Sequence, residues 1–397
     1  MRILIVSQFY YPDVTACAFR IKETADLLAK AGCQVHVIAG EPHKGLIDGE
    51  VIDDGNITVT RVPLIKYKGH GKWNYIQHYL SFMFGAIRHA FRHPPYFDIV
   101  WATSPPLFTG IAGCLIARLK GARFCLDIRD IWPESAVVAG QISSGGLLFN
   151  GAKVVEKALY RLADQITCVA KPMAVYIQSI SRRKIPEVIY NSIPAAMLGD
   201  DPQEVVGKPE TISILYIGNM GYCQNLALVI EAAKLLKERK IGNIRFCLVG
   251  NGIEKPMLEN MAAENNLDNV EIRGIVPKSE AIELIKNSEA LMLHLKDDGT
   301  MDKTIPSKVF DYLAGGKPIL FGLKGEAFDI LEECGGNLYY DPASAQQLAD
   351  QAQKLEQNYL TLARKALQNR EMVKQRFLRE HMAEKLLDLF KRLSNKA

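Results

Sequence analysis

The residues of this chain best suited to chemistry lie between Ile305 and Ile319, in the run Ile-Pro-Ser-Lys-Val-Phe-Asp-Tyr-Leu-Ala-Gly-Gly-Lys-Pro-Ile. Pro306 suits the first turn of a helix, Gly315 and Gly316 end it, and a buried strand follows from Pro318. The unpaired N–H groups of a helix start carry partial positive charge and hold a phosphate well. Ser307 and Lys308 stand at that start, and Lys308 adds a formal charge. Asp311 and Tyr312 follow within one turn, in reach of a sugar joined to such a phosphate. A nucleotide-linked ligand fits this pattern. So does a plain helix joining two strands, and the segment alone leaves both open.

Two glycine turns point the same way. Gly218, Asn219 and Gly221 lie in Ile-Gly-Asn-Met-Gly (217–221), between a strand pattern and a helix that Asn225 is placed to cap. Gly250 and Asn251 lie in Val-Gly-Asn-Gly (249–252), after the next strand. Glycine at a strand-to-helix turn lets a phosphate approach the backbone. No Gly-Lys-Ser/Thr follows either turn, so neither is a Walker loop, and neither is a full Gly-x-Gly-x-x-Gly.

In the first half, Leu-Asp-Ile-Arg-Asp-Ile-Trp-Pro-Glu-Ser (126–135) crowds Asp127, Arg129, Asp130, Glu134 and Ser135 at a strand end. Arg129 there is suited to a developing negative charge. The alternative is an internal Arg–carboxylate network that shapes the loop, and either Arg129 and Glu134 or the two aspartates are the functional pair. After the first strand, Thr15 and Ala16 open a helix with Arg20 in its first turns. An acceptor or a second phosphate fits there, as does ordinary helix packing. Apolar residues at helical spacing (Trp73, Ile76, Leu80, Met83, Phe84, Ile87 and Phe91) end in Arg88, His89, Arg92 and His93. Such a helix suits a membrane interface or a core with one solvated face. His89 and His93 lack the intervening Glu of a zinc-binding His-Glu-x-x-His, and no metal site is expected.

These residues need a frame. The 397 residues favour two domains or more, and 48% apolar content supplies packed cores. A net charge of +4 does not by itself argue for nucleic acid; it suits an anionic ligand or membrane surface. The eight cysteines form no Cys-x-x-Cys pair and read as reduced residues of a cytosolic protein. No run is expected to cross a bilayer. Short apolar runs alternate with helical patterns: 3–7, 35–39, 57–62, 99–102, 123–127, 165–169 and 188–190, then 212–217, 244–249, 270–273, 290–294, 318–321 and 337–339. That alternation predicts an α/β chain of two doubly wound parallel-sheet domains, with ligands beyond the carboxyl ends of the strands in a cleft. The boundaries expected are 1–195, a linker over 196–210, and 211–376. A helix over about 377–397 has apolar spacing that suits either domain.

Taken together, the blocks at 127–135, 216–221 with Gln224, 249–252 and 306–314 with Gly316-Lys-Pro318 resemble the family 4 glycosyltransferases, retaining enzymes of the GT-B fold. The resemblance covers nearly the whole chain and is nearest to the subgroup that builds bacterial O-antigen, capsule or exopolysaccharide, including fucosamine-type transferases. It implies two Rossmann-like domains, a sugar nucleotide held mainly by the second, and a C-terminal helix returning to the first. It places Asp311 at the donor ribose, Ser307 and Lys308 beside the diphosphate, and Gly274 to Val276 at the base. It sets Arg129-Asp130 where many relatives have His-Asp. Three departures stand out: Lys303 where a second glutamate is usual, and Asn219 and Gln224 where Arg and Lys clamp the diphosphate, besides Arg129 itself. Lys308 and Lys296 are then the cations left to offset its charge. The activity implied is metal-independent, cofactor-free transfer of a hexosyl or acetamido-hexosyl unit from a UDP-sugar to a polyprenyl-diphosphate-linked glycan. The enzyme would work in the cytoplasm, docked on the inner leaflet by the 73–91 helix. The rivals are a sugar-nucleotide 2-epimerase of the same fold and a non-catalytic sugar-nucleotide-binding assembly partner.

Overall fold

A computed structural model describes the chain apart from residues 14, 43–54, 66–71, 93–95, 139, 141, 182–183, 200–205, 298 and 396–397, with backbone alone for 72 and 73. The chain forms two compact units, one of Met1–Val137, Gln141–Pro194 and Arg379–Ala397, the other of Val138–Gly140 and Ala195–Leu378.

The first unit runs β1 (Arg2–Val6), α1 (Ala16–Lys30), β2 (Gln34–Gly40), β3 (Ile57–Val62), α2 (Lys72–Arg92), β4 (Ile99–Ser104), α3 (Leu107–Lys120), β5 (Arg123–Ile128), α4 (Glu134–Val138), α5 (Leu147–Leu162), β6 (Gln165–Cys168), α6 (Lys171–Ser181) and β7 (Glu187–Val188). Its seven strands are parallel in the order β3-β2-β1-β4-β5-β6-β7. β1, β4 and β5 are buried almost throughout, because helices cover both faces of the sheet.

The second unit runs β8 (Ile212–Asn219), α7 (Ala227–Glu238), β9 (Ile244–Asn251), α8 (Lys255–Glu264), β10 (Val270–Arg273), α9 (Lys278–Asn287), β11 (Ala290–His294), α10 (Lys308–Gly315), β12 (Ile319–Gly322), α11 (Glu326–Glu333), β13 (Leu338–Tyr339), α12 (Ala345–Gln357), α13 (Tyr359–Leu367) and α14 (Asn369–Arg376). Its six parallel strands are ordered β10-β9-β8-β11-β12-β13. The order reverses direction between β8 and β11, as it does between β1 and β4 in the first unit. Such switch points are where open α/β sheets bind ligands.

The last helix, α15 (Arg379–Ser394), belongs to the first unit. Leu386, Leu389, Phe390 and Leu393 enter its core, with the Phe390 ring 6.1 Å from Trp101. Each such side chain contributes about 1.5–3 kcal/mol by leaving water. Arg379 pins the helix start: its N–H bonds Ile193 O at 2.7 Å and its guanidinium lies 3.3 Å from Glu23.

Among the described residues, no helix is long and apolar enough to cross a membrane. In α2, Phe82, Met83, Ala86 and Ala90 are buried. Met83 was expected on the face turned to a membrane and is instead a core residue. Phe84 and Phe91 are 62% and 73% exposed, two turns apart on the outer face with Arg88 between them. The side chain of Trp73 and all of His93 lie outside the described residues. All eight cysteines are free thiols, six buried and two, Cys17 and Cys223, half-buried.

Candidate functional site

In the second unit, the site is built where β8 ends against α10. Alternate residues Ile212, Ile214 and Tyr216 of β8 point into the core. The strand then leaves through Gly218 at φ +153°, a backbone conformation that side-chain-bearing residues rarely adopt. A Cβ at Gly218 would stand 1.9 Å from Lys308 Nζ, so glycine is what admits the ammonium. β9 repeats the device: Gly250, at φ +147°, packs against Gly218, and an added Cβ would meet Gly218 O at 1.8 Å. The two glycine turns are thus a single packed feature, tied by Met220 N–H to Asn251 O at 2.9 Å.

Helix α10 starts at Lys308 after Pro306 and Ser307, and Gly316 closes it at φ +64°. Lys308 bonds the Tyr216 hydroxyl at 3.2 Å and lies 4.5 Å from the centre of that ring. Removal from water pushes its ammonium down to about 8, with Asp311 opposing the shift. Tyr216 in turn donates to Asn219 O at 2.5 Å, so the lysine and the turn share one anchor. Tyr216 was not singled out from the sequence; its only signal is a polar tip on a strand of otherwise apolar inward residues. Tyr312 corrects the expectation that it reaches a sugar. It is fully buried, and its hydroxyl accepts the Ile217 N–H at 3.0 Å, bracing the strand just before Gly218.

The neighbouring expected residues fall around this point. Gln224 Oε1 accepts from Gly221 N–H and from the Asn219 amide, both at 3.1 Å, so Asn219 and Gln224 hold the turn's shape. Asn225 does not cap the next helix with its side chain. It occupies φ +42°, and α7 starts two residues later. Asn251 folds back on its own turn through Gly252 N–H at 2.9 Å. The Lys296 N–H bonds Cys223 O at 2.8 Å, joining the loops after β11 and β8, and Lys296 shares a pocket with Thr304 and Pro306. Ser307 and Asp311 are half-buried on the first turn of α10. Val276 lies after β10, on the same sheet end but outside the Lys308 cluster.

In the first unit, the crowded end of β5 is largely paired internally. Asp127 is fully buried; its carboxylate takes Arg20 at 2.5 Å and the Thr167 hydroxyl at 2.7 Å. Arg20 was expected to face an acceptor and is instead a core residue, 4% exposed and 5.5 Å from the Trp101 ring centre. Arg129 lies 4.0 Å from the same carboxylate. Burial, then repulsion from Arg20, pushes its guanidinium down to about 9 against the pull of Asp127. Asp130 is exposed beside it. Thr15 caps α1, accepting the Ala18 N–H at 3.2 Å, and Ala16 is exposed on the first turn.

Glu134, expected as a chemical group, is held by Lys153 at 2.8 Å and by the Tyr176 hydroxyl at 3.2 Å. Lys153 also binds Glu156 at 2.6 Å, and Glu156 accepts the Tyr160 hydroxyl at 2.9 Å. Burial works against the Lys153 charge, but these bonds raise its affinity for the proton. The Lys153, Glu156 and Tyr160 spacing places them on one helical face, a signal legible in the sequence. Among the described residues, no group of three His, Cys, Asp or Glu could hold a metal ion.

Residues 15–191 match the family model of the glycosyl transferase 4-like domain, and residues 200–394 match that of glycosyl transferases group 1. The chain is 26% identical over 343 residues to the putative colanic acid biosynthesis glycosyl transferase WcaI of Escherichia coli, covering 81% of this chain and 83% of that one. In fold it is similar to sucrose-phosphate synthase of Thermosynechococcus elongatus, with a TM-score of 0.80, 16% identity and full coverage of both chains. It is also similar to Anabaena HepE, solved in complex with UDP-glucose, with a TM-score of 0.72, 12% identity and 99% and 100% coverage. These two likenesses show the GT-B fold, with two parallel-sheet α/β domains.

Proposed function

We propose that this two-domain glycosyltransferase, a glycosyl transferase 4-like domain followed by a group 1 domain, works in bacterial surface polysaccharide synthesis. It moves a hexosyl or N-acetyl-amino-sugar unit from a UDP-sugar to a glycan carried on a polyprenyl diphosphate. The observation that carries the reading is the convergence of Gly218, the start of α10 and the half-buried Lys308 ammonium at one switch point. Support comes from the relative named for colanic acid biosynthesis and the GT-B neighbour solved with UDP-glucose.

The donor diphosphate approaches the turn at Gly218, where the Lys308 ammonium takes the space a side chain would fill, and meets that ammonium and the first turn of α10. A cation kept partly desolvated interacts more strongly with an anion than one in bulk water. Charge growing on the departing diphosphate is offset there, so the proposal needs no metal ion. Asp311, one turn along, receives ribose hydroxyls; Val276 borders the base; Lys296 supplies a second positive charge. Asn219 and Gln224, bonded to each other, keep the turn open. In the first domain, Arg129 and Asp130 meet the reacting groups while Glu134, fixed by Lys153, positions their loop. The anomeric configuration is retained, and the exposed face of α2 with Phe84, Arg88 and Phe91 rests on the membrane that holds the acceptor.

A thermal-shift screen of UDP-, GDP- and ADP-sugars tests the donor, since a ligand preferring the folded chain raises its Tm. UDP-sugars should give the largest shift, and UDP release should then depend on an added lipid-linked glycan. A shift without acceptor-dependent release would return the chain to a binding partner; no shift with any donor overturns the reading.

A further inference from the structure

We infer that the first unit holds a separate apolar pocket for the acceptor's isoprenoid chain, and this assignment rests on the lipid-linked acceptor proposed above. The pocket, about 260 Å³, opens between α2, α3 and α5, with Tyr79, Phe108, Ile111, Trp132, Leu148 and Gly151 in its wall. Among the described residues, no charged residue lines it. The Tyr79 and Phe108 rings stack at 6.2 Å along one side. Leu147 and Leu148 at the rim are 93% and 49% exposed, leaving hydrocarbon in water with no core to serve.

Gly151 is the most telling residue. It lies inside α5, where glycine costs about 1 kcal/mol relative to alanine. Other helical glycines have a packing reason. A Cβ at Gly85 would meet Val62 at 3.1 Å, one at Gly110 would meet Leu126 and Leu159 at 3.1 Å, and one at Gly113 would meet Ala102 at 2.3 Å. A Cβ at Gly151 would meet nothing within 4 Å. The protein's own packing therefore does not require glycine there, and Gly151, itself exposed, forms part of the pocket's wall. Trp132 belongs to the same strand-end loop as Arg129 and Asp130, so a chain lodged against it brings its polar end toward those residues. An uncharged, aromatic-walled cavity with an exposed apolar rim suits a branched hydrocarbon better than a sugar, which would leave its hydroxyls unpaired.

The test is calorimetric binding of farnesyl diphosphate to the full chain and to Gly151→Leu, with inorganic pyrophosphate and dodecyl phosphate as comparison probes. Gly151→Leu adds hydrocarbon at the pocket wall, its Cβ meeting no atom within 4 Å, and favours the helix, so the fold should persist; its Tm shift with UDP-glucose checks this. Farnesyl diphosphate should bind wild type at least about tenfold more tightly than pyrophosphate, and Gly151→Leu should lose that advantage. Gly151→Ala should fall between. Equal affinity of both proteins for farnesyl diphosphate overturns the pocket, as does dodecyl phosphate binding equally well, which would make it a seat for membrane acyl chains. If the pocket fails while UDP-sugar binding and acceptor-dependent UDP release persist, the transfer reading stands without it. If UDP-sugars do not bind yet farnesyl diphosphate binds in a Gly151-dependent way, the transfer reading falls and the pocket stands.

Discussion

The two strand ends rich in functional residue types handle charge in opposite ways. At the end of β5, carboxylates and cations are mostly matched: Arg20 and Thr167 on Asp127, Lys153 on Glu134 and Glu156. At the end of β8 the design rests on backbone, with two interlocked glycine turns and one lysine whose hydrogen-bond partner is a neutral tyrosine. The first arrangement has used most of its charges to shape itself, Arg129 apart. The second keeps a cation under-neutralised, and a group left in that state gains most from an arriving anion. Density of charged residues in a sequence is therefore a poor guide to which strand end keeps unmatched charge; the pairing among them decides.

The sharpest way to break this contrast is Asp127→Ala. Removing one partner from a buried pair costs about 3–5 kcal/mol, because Arg20 is left charged and dry. Urea or thermal denaturation should show a fall of that size. A stable Asp127→Ala with altered turnover alone would make β5 the ligand site and reverse the comparison. Next in size, Lys308→Ala should weaken UDP-sugar binding from several-fold to about a hundredfold, up to about 2.7 kcal/mol, with little loss of Tm. Wild-type affinity would remove Lys308 from the site.

Acidity gives a finer test. Lys308 is pushed from 10.5 down to about 8, so its charge is lost as pH rises through about 8. UDP affinity should be flat below that point and fall above it, toward about tenfold per pH unit, and Lys308→Ala should abolish the dependence. The sign for stability is opposite. Between about 8 and 10.5 the unfolded chain binds this proton more than the folded one, so the lysine's burial penalty fades as pH rises and the ligand-free protein gains stability from it. The smallest effect is expected on the outer face of α2. Phe84→Ser with Phe91→Ser should change stability by about 0.5 kcal/mol or less while lowering co-sedimentation with anionic liposomes. Unchanged sedimentation would return this helix to an ordinary solvated face.

Much of the fold was legible because buried parallel strands are short continuous apolar runs, and every run read as a strand is one. The candidate site in the second unit was partly legible for a similar reason: glycine turns, a proline-led helix start and a nearby lysine are local signals. Arg20 was misplaced because its partner Asp127 is 107 residues away, and nothing local says that an arginine on a helix will turn into the core. Tyr312 failed likewise; a tyrosine in a first helical turn is as apt to brace a strand from inside as to touch a ligand. Met83 and Phe84 are adjacent and both apolar, and only the helix's rotation against its neighbours decides which is covered. Glu134 depended on Lys153, whose role appears once α5 is seen to present it.

The Arg379 N–H bonded to Ile193 O has a practical corollary. The chain leaves the first unit after Pro194 and re-enters it at Arg379, at adjoining points, so residues 195–378, the bulk of the second unit, are one insert in the first. Excising it and joining Pro194 to Arg379 with a short glycine–serine bridge should yield a free-standing first unit, small enough for solution NMR.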